Sequence, residues 1–307
     1  MKELVIIQKG EEKQIAYVEE GIVKEYYKEV EDKQRLEGNI YIGKVEDVLP
    51  GMQAAFVNIG EGKNTFLHIR DVLPKRSNVT GNKEEDLEQY NIKDYIKPND
   101  MLLVQVKKDS TKIKGARVST YIQLPGRFVV LLPENDFITI SQKIEEQEER
   151  ERLLAIAKKE KGKRKIGIII RTAAKGVDEE KIQKDIQTTI ERLEKVQTEV
   201  EKQNKSPRII KKSNTILEKI LLDIADQKLE RIWVNTKEMQ ERVAAILKEI
   251  HEDLKVNIEY QAQGLENKYD IQTQLEKMEN RKIWLKCGGF ITIDKTEALT
   301  AIDVNSR

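Results

Sequence analysis

Near residue 300 the chain gathers side chains that could hold a hard cation. The alternating run Ala301-Ile302-Asp303-Val304-Asn305 puts Asp303 and Asn305 on one face of a strand and turns Ile302 and Val304 into a core. A carboxylate beside an amide offers oxygen ligands, and Mg is usually held by one or two carboxylates while it keeps several waters. The surrounding segment, GGFITIDKTEALTAIDVNSR, reads as a glycine turn, a strand, a short reversal and a second strand. One carboxylate alone is a weak metal site, and by residue chemistry alone an acid at a strand end is more simply a solvated loop residue.

A second grouping lies between residues 38 and 122. The segment NIYIGKVEDVLPGMQAAFVNIGEGKNTFLHIRDV holds three strand-like runs broken at Pro50-Gly51 and Gly60-Glu61-Gly62, and DMLLVQVKKD and GARVSTYI supply two more. Five short strands in this length indicate a small barrel, for which an OB-fold is the economical choice. Phe56, Phe66 and His68 could present rings for base stacking, worth ~1–3 kcal/mol per base. Lys107, Lys108, Lys112, Lys114 and Arg117, against Asp109 alone, form a basic strip nearby. Rings beside cations are the groove chemistry of single-strand binding. Phe56 and Phe66 are also readable as ordinary core residues of alternating strands.

The junction IGIIIRTAAKG is the third grouping. A strand ending in Arg171-Thr172, then Gly176 and a helix that opens with acids, offers a guanidinium, a hydroxyl and backbone N–H groups to an anion such as phosphate. Its neighbourhood, residues 123–214, predicts strands at RFVVLLP and FITIS, a helix over 144–161, a strand over 165–171 and a helix over 177–204. In that last helix Ile182, Ile186, Ile190, Leu193, Val196 and Val200 recur every three or four residues and make one apolar stripe.

Elements at both ends must support these groups. Residues 4–30 carry strand-like runs at 4–8, 14–18 and 22–30, a meander with too little core of its own. Beyond Pro207 the pattern predicts a helix over 216–227, a strand over 231–235, a helix over 236–252, a strand over 256–260 and a helix over 269–278. This α/β alternation could cover the meander. Residues 77–97, with Glu84, Glu85, Asp86 and Glu88, read as a polar insertion in the barrel.

The 307 residues leave room for two or more domains. Charged residues make up 36%, yet 55 Lys and Arg face 54 Asp and Glu for a net charge of +1, so charge must act through local patches. The single cysteine, Cys287, excludes an intrachain disulfide and fits a reducing, cytoplasmic setting. No apolar run approaches the ~20 residues of a membrane span, and the chain opens straight into a strand without a signal-peptide pattern.

GGFITIDKTEALTAIDVNSR closely resembles the catalytic-strand signature of the ribonuclease E/G family. The AFVNIG and FLHIRD runs resemble an S1-type domain, IGIIIRTAAKG resembles that family's sensor of the RNA 5′ end, and the resemblance extends from the first strand to Arg307. It implies an α+β multidomain fold with a ribonuclease H-like α/β subdomain in two segments, 1–37 and 215–280. Between them it implies an S1-type OB-fold barrel at 38–122 and an α/β 5′-sensor region at 123–214, and after them the start of a DNase I-like catalytic domain at 281–307. Asp303 and Asn305 are expected to serve a catalytic Mg. Phe56, Phe66 and Lys114 are expected to contact RNA, with Lys108 and His68 beside them, and Arg171, Thr172, Gly126 and Val130 to sense a 5′ monophosphate.

The family pattern is not kept everywhere. Gln142 and Lys143 follow Ile140-Ser141 where arginines are usual, Glu266 stands at an aromatic position, and Gln272 stands where Glu is common. The expected activity is Mg-dependent endonucleolytic cleavage of single-stranded RNA, with a noncatalytic RNA-binding module as the alternative. A scaffold that binds only proteins leaves the lysines and ring motifs unexplained. The family's second metal-binding aspartate, its zinc-linking cysteine pair and a small C-terminal domain are expected beyond Arg307. The chain therefore reads as the N-terminal part of a longer enzyme, with Zn and homo-oligomerisation belonging to the longer form.

Overall fold

The computed structural model describes residues 1–30, 35–72, 90–110, 115–202, 207–224, 229–250, 256–296 and 299–306. The opening strands are β1 (Lys2–Lys9), β2 (Glu12–Glu19) and β3 (Ile22–Val30), followed by β4 (Ile40–Leu49), β5 (Ala54–Asn58), β6 (Thr65–His68), β7 (Met101–Lys108) and β8 (Arg117–Ser119). Next come β9 (Leu124–Pro125), β10 (Val129–Pro133), β11 (Ile138–Ile140), α1 (Gln147–Lys161), β12 (Ile166–Ile170), α2 (Glu179–Glu201) and β13 (Arg208–Lys211). The last stretch holds α3 (Ile216–Ile224), β14 (Arg231–Val234), α4 (Lys237–Ile250), β15 (Asn257–Tyr260), α5 (Ile271–Met278), β16 (Lys282–Trp284), β17 (Phe290–Lys295) and β18 (Thr300–Asn305). Two compact units result, one from Met1–Lys33 with Ile216–Arg307 and the other from Gln34–Thr215. No helix among the described residues is long and apolar enough to cross a membrane.

In the first unit the strands run in the order β15-β14-β1-β2-β3, with β1 antiparallel to β2 and parallel to β14. β1 is central, and its run Leu4-Val5-Ile6-Ile7 is buried on both faces, which explains why it does not alternate. Leu4 and Ile6 pack under Leu217 and Leu221 of α3 and Val243 and Leu247 of α4. Val5 and Ile7 pack on the opposite side with Leu265 and Ile271. The meander thus gains its cover from chain more than 180 residues away, as the α/β alternation predicted. Buried Lys13 pairs with Glu29 at 3.3 Å, and the other oxygen of Glu29 accepts the Ile216 N–H at 3.1 Å. One carboxylate therefore joins the point where the chain leaves this unit to the point where it returns. α5 starts at Ile271 rather than at residue 269, because Tyr269 and Asp270 adopt positive φ, +59° and +50°.

The second unit contains a closed barrel. Its strands pair in the order β4-β5-β6-β8-β7, and β7 returns to β4. The inner positions, among them Val45, Ala55, Val57, Leu67, Val104, Val106 and Val118, form a single cluster. Ile92 and Ile96, within the stretch read as a polar insertion, are buried in the same cluster, and Gln53 accepts the Ile92 N–H at 2.9 Å. β13, unforeseen in the sequence, adds along the free side of β4. Residues 124–170 form a four-stranded sheet, β11-β12-β10-β9, on which α1 and α2 lay Leu153, Ile156, Ile182, Ile186, Ile190 and Leu193. Ile182, Ile186, Ile190 and Leu193 are stripe residues predicted for α2, while Leu153 and Ile156 come from α1.

The same helix carries Asp185, whose carboxylate accepts N–H groups from Arg127, Phe128 and Val129 at 2.9, 2.7 and 3.2 Å. Burial pushes its carboxyl pKa up, while the three amide donors pull it down. Gly126 lies so close that a Cβ there would stand 2.7 Å from both Asp185 Oδ2 and Thr189 Oγ1. Gly126→Ala is expected to lower the unfolding free energy by ~1–3 kcal/mol through overpacking. Asp185→Ala should cost more, because three N–H groups lose their acceptor at ~1–3 kcal/mol each where they stay buried. Urea titration of the two variants measures both effects.

Candidate nucleic-acid interface

Strand alternation decides where the barrel's rings point. Ala55, Val57 and Leu67 fill the interior, so Phe56, Phe66 and His68 must face outward. Phe56 and Phe66 are register partners, with centroids 6.4 Å apart and planes at 67°, an edge-to-face pair. His68 follows at 6.4 Å from Phe66 with a 31° tilt. These rings are half-buried rather than core residues, which resolves the alternative left open by the sequence.

The cations adjoin that row. Arg117, on β8, is the register partner of Phe66 on β6 and of Lys108 on β7. Its guanidinium grips Asp71 through Nε at 2.9 Å and Nη2 at 2.7 Å, which fixes its direction. Arg70, Lys107, Lys108 and Arg117 border a pocket of about 240 Å³. The Arg70 N–H donates to His68 Nδ1 at 3.2 Å. Burial, with Arg117 and Arg70 nearby, lowers the His68 pKa, so the ring is neutral at pH 7 and carries its proton on Nε2, a donor beside Phe66. Sequence reasoning passed over Arg70 and Asp71, although both stand in the FLHIRD run. Lys112 and Lys114 lie outside the described residues.

The second candidate site is at the end of β12. Arg171 Nη1 donates to the carbonyls of Gly126 and Arg127 at 3.1 and 3.3 Å, and the Thr172 hydroxyl meets Ser141 Oγ at 2.8 Å. Val130 lies on the adjacent β10, paired with Pro125. Gly126, Arg171, Thr172 and Val130 therefore share one corner of the sheet. The α2 end differs from expectation. The Gly176 N–H is already taken by Glu149 at 2.8 Å, and Asp178 and Glu179 line the hollow beside it. The helix N-terminus is supplied with carboxylates from the chain itself and is disfavoured for an anion, so an anion would have to use Arg171 and Thr172. Glu149 is bound by Arg152 through two 2.8 Å contacts, which with the Gly176 N–H hold its pKa down at about 2.

The third site lies in the sheet β16-β17-β18. Asn305 Nδ2 donates to Asp303 Oδ2 at 2.8 Å, so acid and amide do share a face. Ile302 and Val304, expected in a core, are instead 63% and 67% exposed, because among the described residues no layer packs over that side of this three-stranded sheet. Asp294 is engaged by Arg281 at 2.5 and 2.7 Å, and Glu297 lies outside the described residues. Among the described residues, no three His, Cys, Asp or Glu side chains converge in a metal cluster. The donor chemistry of Asp303 and the Asn305 amide fits a largely hydrated Mg, which takes one or two carboxylates and completes its shell with water and substrate phosphate.

The barrel with its outward ring row and the α/β sheet with its cationic corner belong to one compact unit. The ribonuclease E/G family model matches residues 123–307. Ribonuclease G of Salmonella typhimurium (strain SL1344) is 36% identical over 312 residues, covering 99% of this chain and 62% of that protein. Ribonuclease G of Haemophilus influenzae is 36% identical over 96% of this chain and 60% of its own length, and ribonuclease E of Nostoc sp. is 34% identical over 88% and 39%. The chain belongs to the ribonuclease E/G family, and it spans about 62% of the length of the ribonuclease G relative first named.

Phe56→Ala and Phe66→Ala should each weaken single-stranded RNA binding by ~1–3 kcal/mol, and each tenfold rise in salt should lower the log of the affinity by ~0.7 per neutralised phosphate. Filter binding at several salt concentrations reads both. Glu149 supplies a pH test. A carboxyl held near 2 in the fold and near its ordinary 4.5 when unfolded stabilises the protein above about 4.5, and that stability is lost as pH falls toward about 2. Glu149→Gln should therefore flatten the acid limb of the urea midpoint in that window.

Proposed function

We propose that this chain is the RNA-binding and metal-anchoring part of an endoribonuclease that cuts single-stranded RNA. The observation that carries the reading is the outward row Phe56, Phe66 and His68, bordered by Arg117 and Lys108, in a chain of this family. Bases of a single strand stack on the rings while the cations neutralise its phosphates. The order β3-β2-β1-β14-β15, in which only β2 runs against the others, supports a ribonuclease H-like subdomain interrupted by the S1-type barrel and the 5′-sensor region. β16–β18 are then the first strands of a DNase I-like domain. RNA processing or decay in the cytoplasm is the setting this reading implies.

A terminal 5′ monophosphate is received at the corner of Gly126, Val130, Arg171 and Thr172. The Arg171 bonds to the Gly126 and Arg127 carbonyls pre-aim its guanidinium for a phosphate. At the other site a bound Mg would activate water for in-line attack on the phosphodiester and offset the charge that develops there. Asp303 would hold the ion through its carboxylate, which the Asn305 amide N–H orients, and the Asn305 amide oxygen would be available as a further ligand.

In a comparison of otherwise identical oligonucleotides, a 5′ monophosphate should bind more tightly than a 5′ hydroxyl, and Arg171→Ala should erase the difference while internal binding persists. Equal affinity of the unmutated chain for both ends would remove the sensor from the proposal. Residues 1–307 should bind RNA yet cleave it little, since among the described residues no second carboxylate joins Asp303, and a hydrated Mg held by one carboxylate is not fixed in the geometry that water activation needs. A longer form carrying the family's further aspartate should cleave in Mg and lose that activity on Asp303→Asn. Robust Mg-dependent cleavage by residues 1–307 would refute the need for a further carboxylate.

A further inference from the structure

Asp303 and Asn305 share their sheet face with an aromatic pair that the proposed chemistry leaves without a role. Trp284 is the register partner of Phe290, and Phe290 of Asn305, while Lys282 pairs with Thr292 and Thr292 with Asp303. Side-chain alternation therefore puts Lys282, Trp284, Phe290, Thr292, Asp303 and Asn305 on one face, with the isoleucines on the other. The two rings lie 5.2 Å apart at 58°. Lys282 Nζ stands 3.6 Å from the Phe290 centroid and 4.4 Å from that of Trp284. Trp284 is 66% exposed. So much open indole surface contributes little to the hairpin's own packing, and it is the group a base would stack on.

We infer that Trp284 and Phe290 form a stacking shelf for the nucleobase flanking the scissile phosphodiester, and that Lys282 neutralises the adjoining phosphate. The shelf rests on the endoribonuclease reading and adds substrate-positioning residues to it. Two strand spacings of ~4.8 Å separate the backbone of Trp284 from that of Asn305, a span a single nucleotide can bridge. Stacking tolerates any base, because every base has a π-face, so the shelf positions the strand without imposing a sequence. The ammonium already lies against the rings, so a phosphate entering beside a stacked base meets a cation held in place.

The chain has two tryptophans, Trp233 and Trp284, so subtracting the emission of Trp284→Phe from that of the unmutated protein isolates Trp284. Titration of residues 1–307 with an unlabelled single-stranded oligoribonucleotide in Mg should quench that difference saturably. Polarisation of a 3′-labelled copy of the same oligonucleotide reports binding independently. Trp284→Ala should lower affinity roughly 5- to 150-fold, whereas Trp284→Phe, which keeps a stacking face, should stay within about 3-fold. Thermal unfolding should be the same in all three proteins. Binding by polarisation with unchanged Trp284 emission, or equal affinity of Trp284→Ala and the unmutated chain, would overturn the shelf and leave the endoribonuclease reading standing. No binding by either readout would overturn both.

Discussion

The buried carboxylate of Asp185 is the tie on which the candidate 5′ corner depends. It accepts three consecutive N–H groups from the turn that opens β10. Such amides, left without an acceptor, would make the turn too costly to bury. Once they are satisfied from the helix side, the carbonyls of Gly126 and Arg127 point the other way, where Arg171 receives them. The absence of a side chain at Gly126 lets the helix come this close. A carboxylate on α2 and a guanidinium at the end of β12 thus grip opposite sides of one turn. The position of Arg171 follows from that grip.

Both proposed RNA surfaces are made by the same device. On β5 and β6, aliphatic residues turn inward, so the rings between them turn out. On β16 and β17 the isoleucines share one side, while Trp284 and Phe290 share the other. The two differ in closure. The barrel buries its aliphatic side completely, whereas the terminal sheet exposes Ile302 and Val304. Ring placement requires only the period of a strand, while burial of the reverse side requires a second layer.

Charge is managed locally. With a net charge of +1 the chain has little long-range field, and Arg117 is aimed by two N–H bonds to one Asp71 oxygen. Glu149 works in the opposite sense, taking the Gly176 N–H and giving the start of α2 a negative border. These carboxylates decide which cations present donors to a phosphate and which ends of the fold repel one.

Much of the architecture was legible in residue order. The closed five-strand barrel, the three-strand meander and the apolar stripe of α2 are all stated by hydrophobic period and by Gly and Pro punctuation, because those signals are local. The family was legible in the GGFITIDKTEALTAIDVNSR run. What residue order could not state was the use of each polar atom. The period of β5 and β6 allows Phe56 and Phe66 to be core or surface, and the closed interior of Ala55, Val57 and Leu67 decided for the surface. Gly176 looked like an open phosphate donor until Glu149, 27 residues earlier, was found on its N–H. β13 has no strong pattern of its own and exists because β4 offers it an edge. Sequence determined the strands, helices and residue types present here, since these follow from neighbours a few positions apart. Tertiary structure alone decided which donors and faces stay open, since a hydrogen bond or a covering layer comes from residues remote in the chain, whose positions no local pattern encodes.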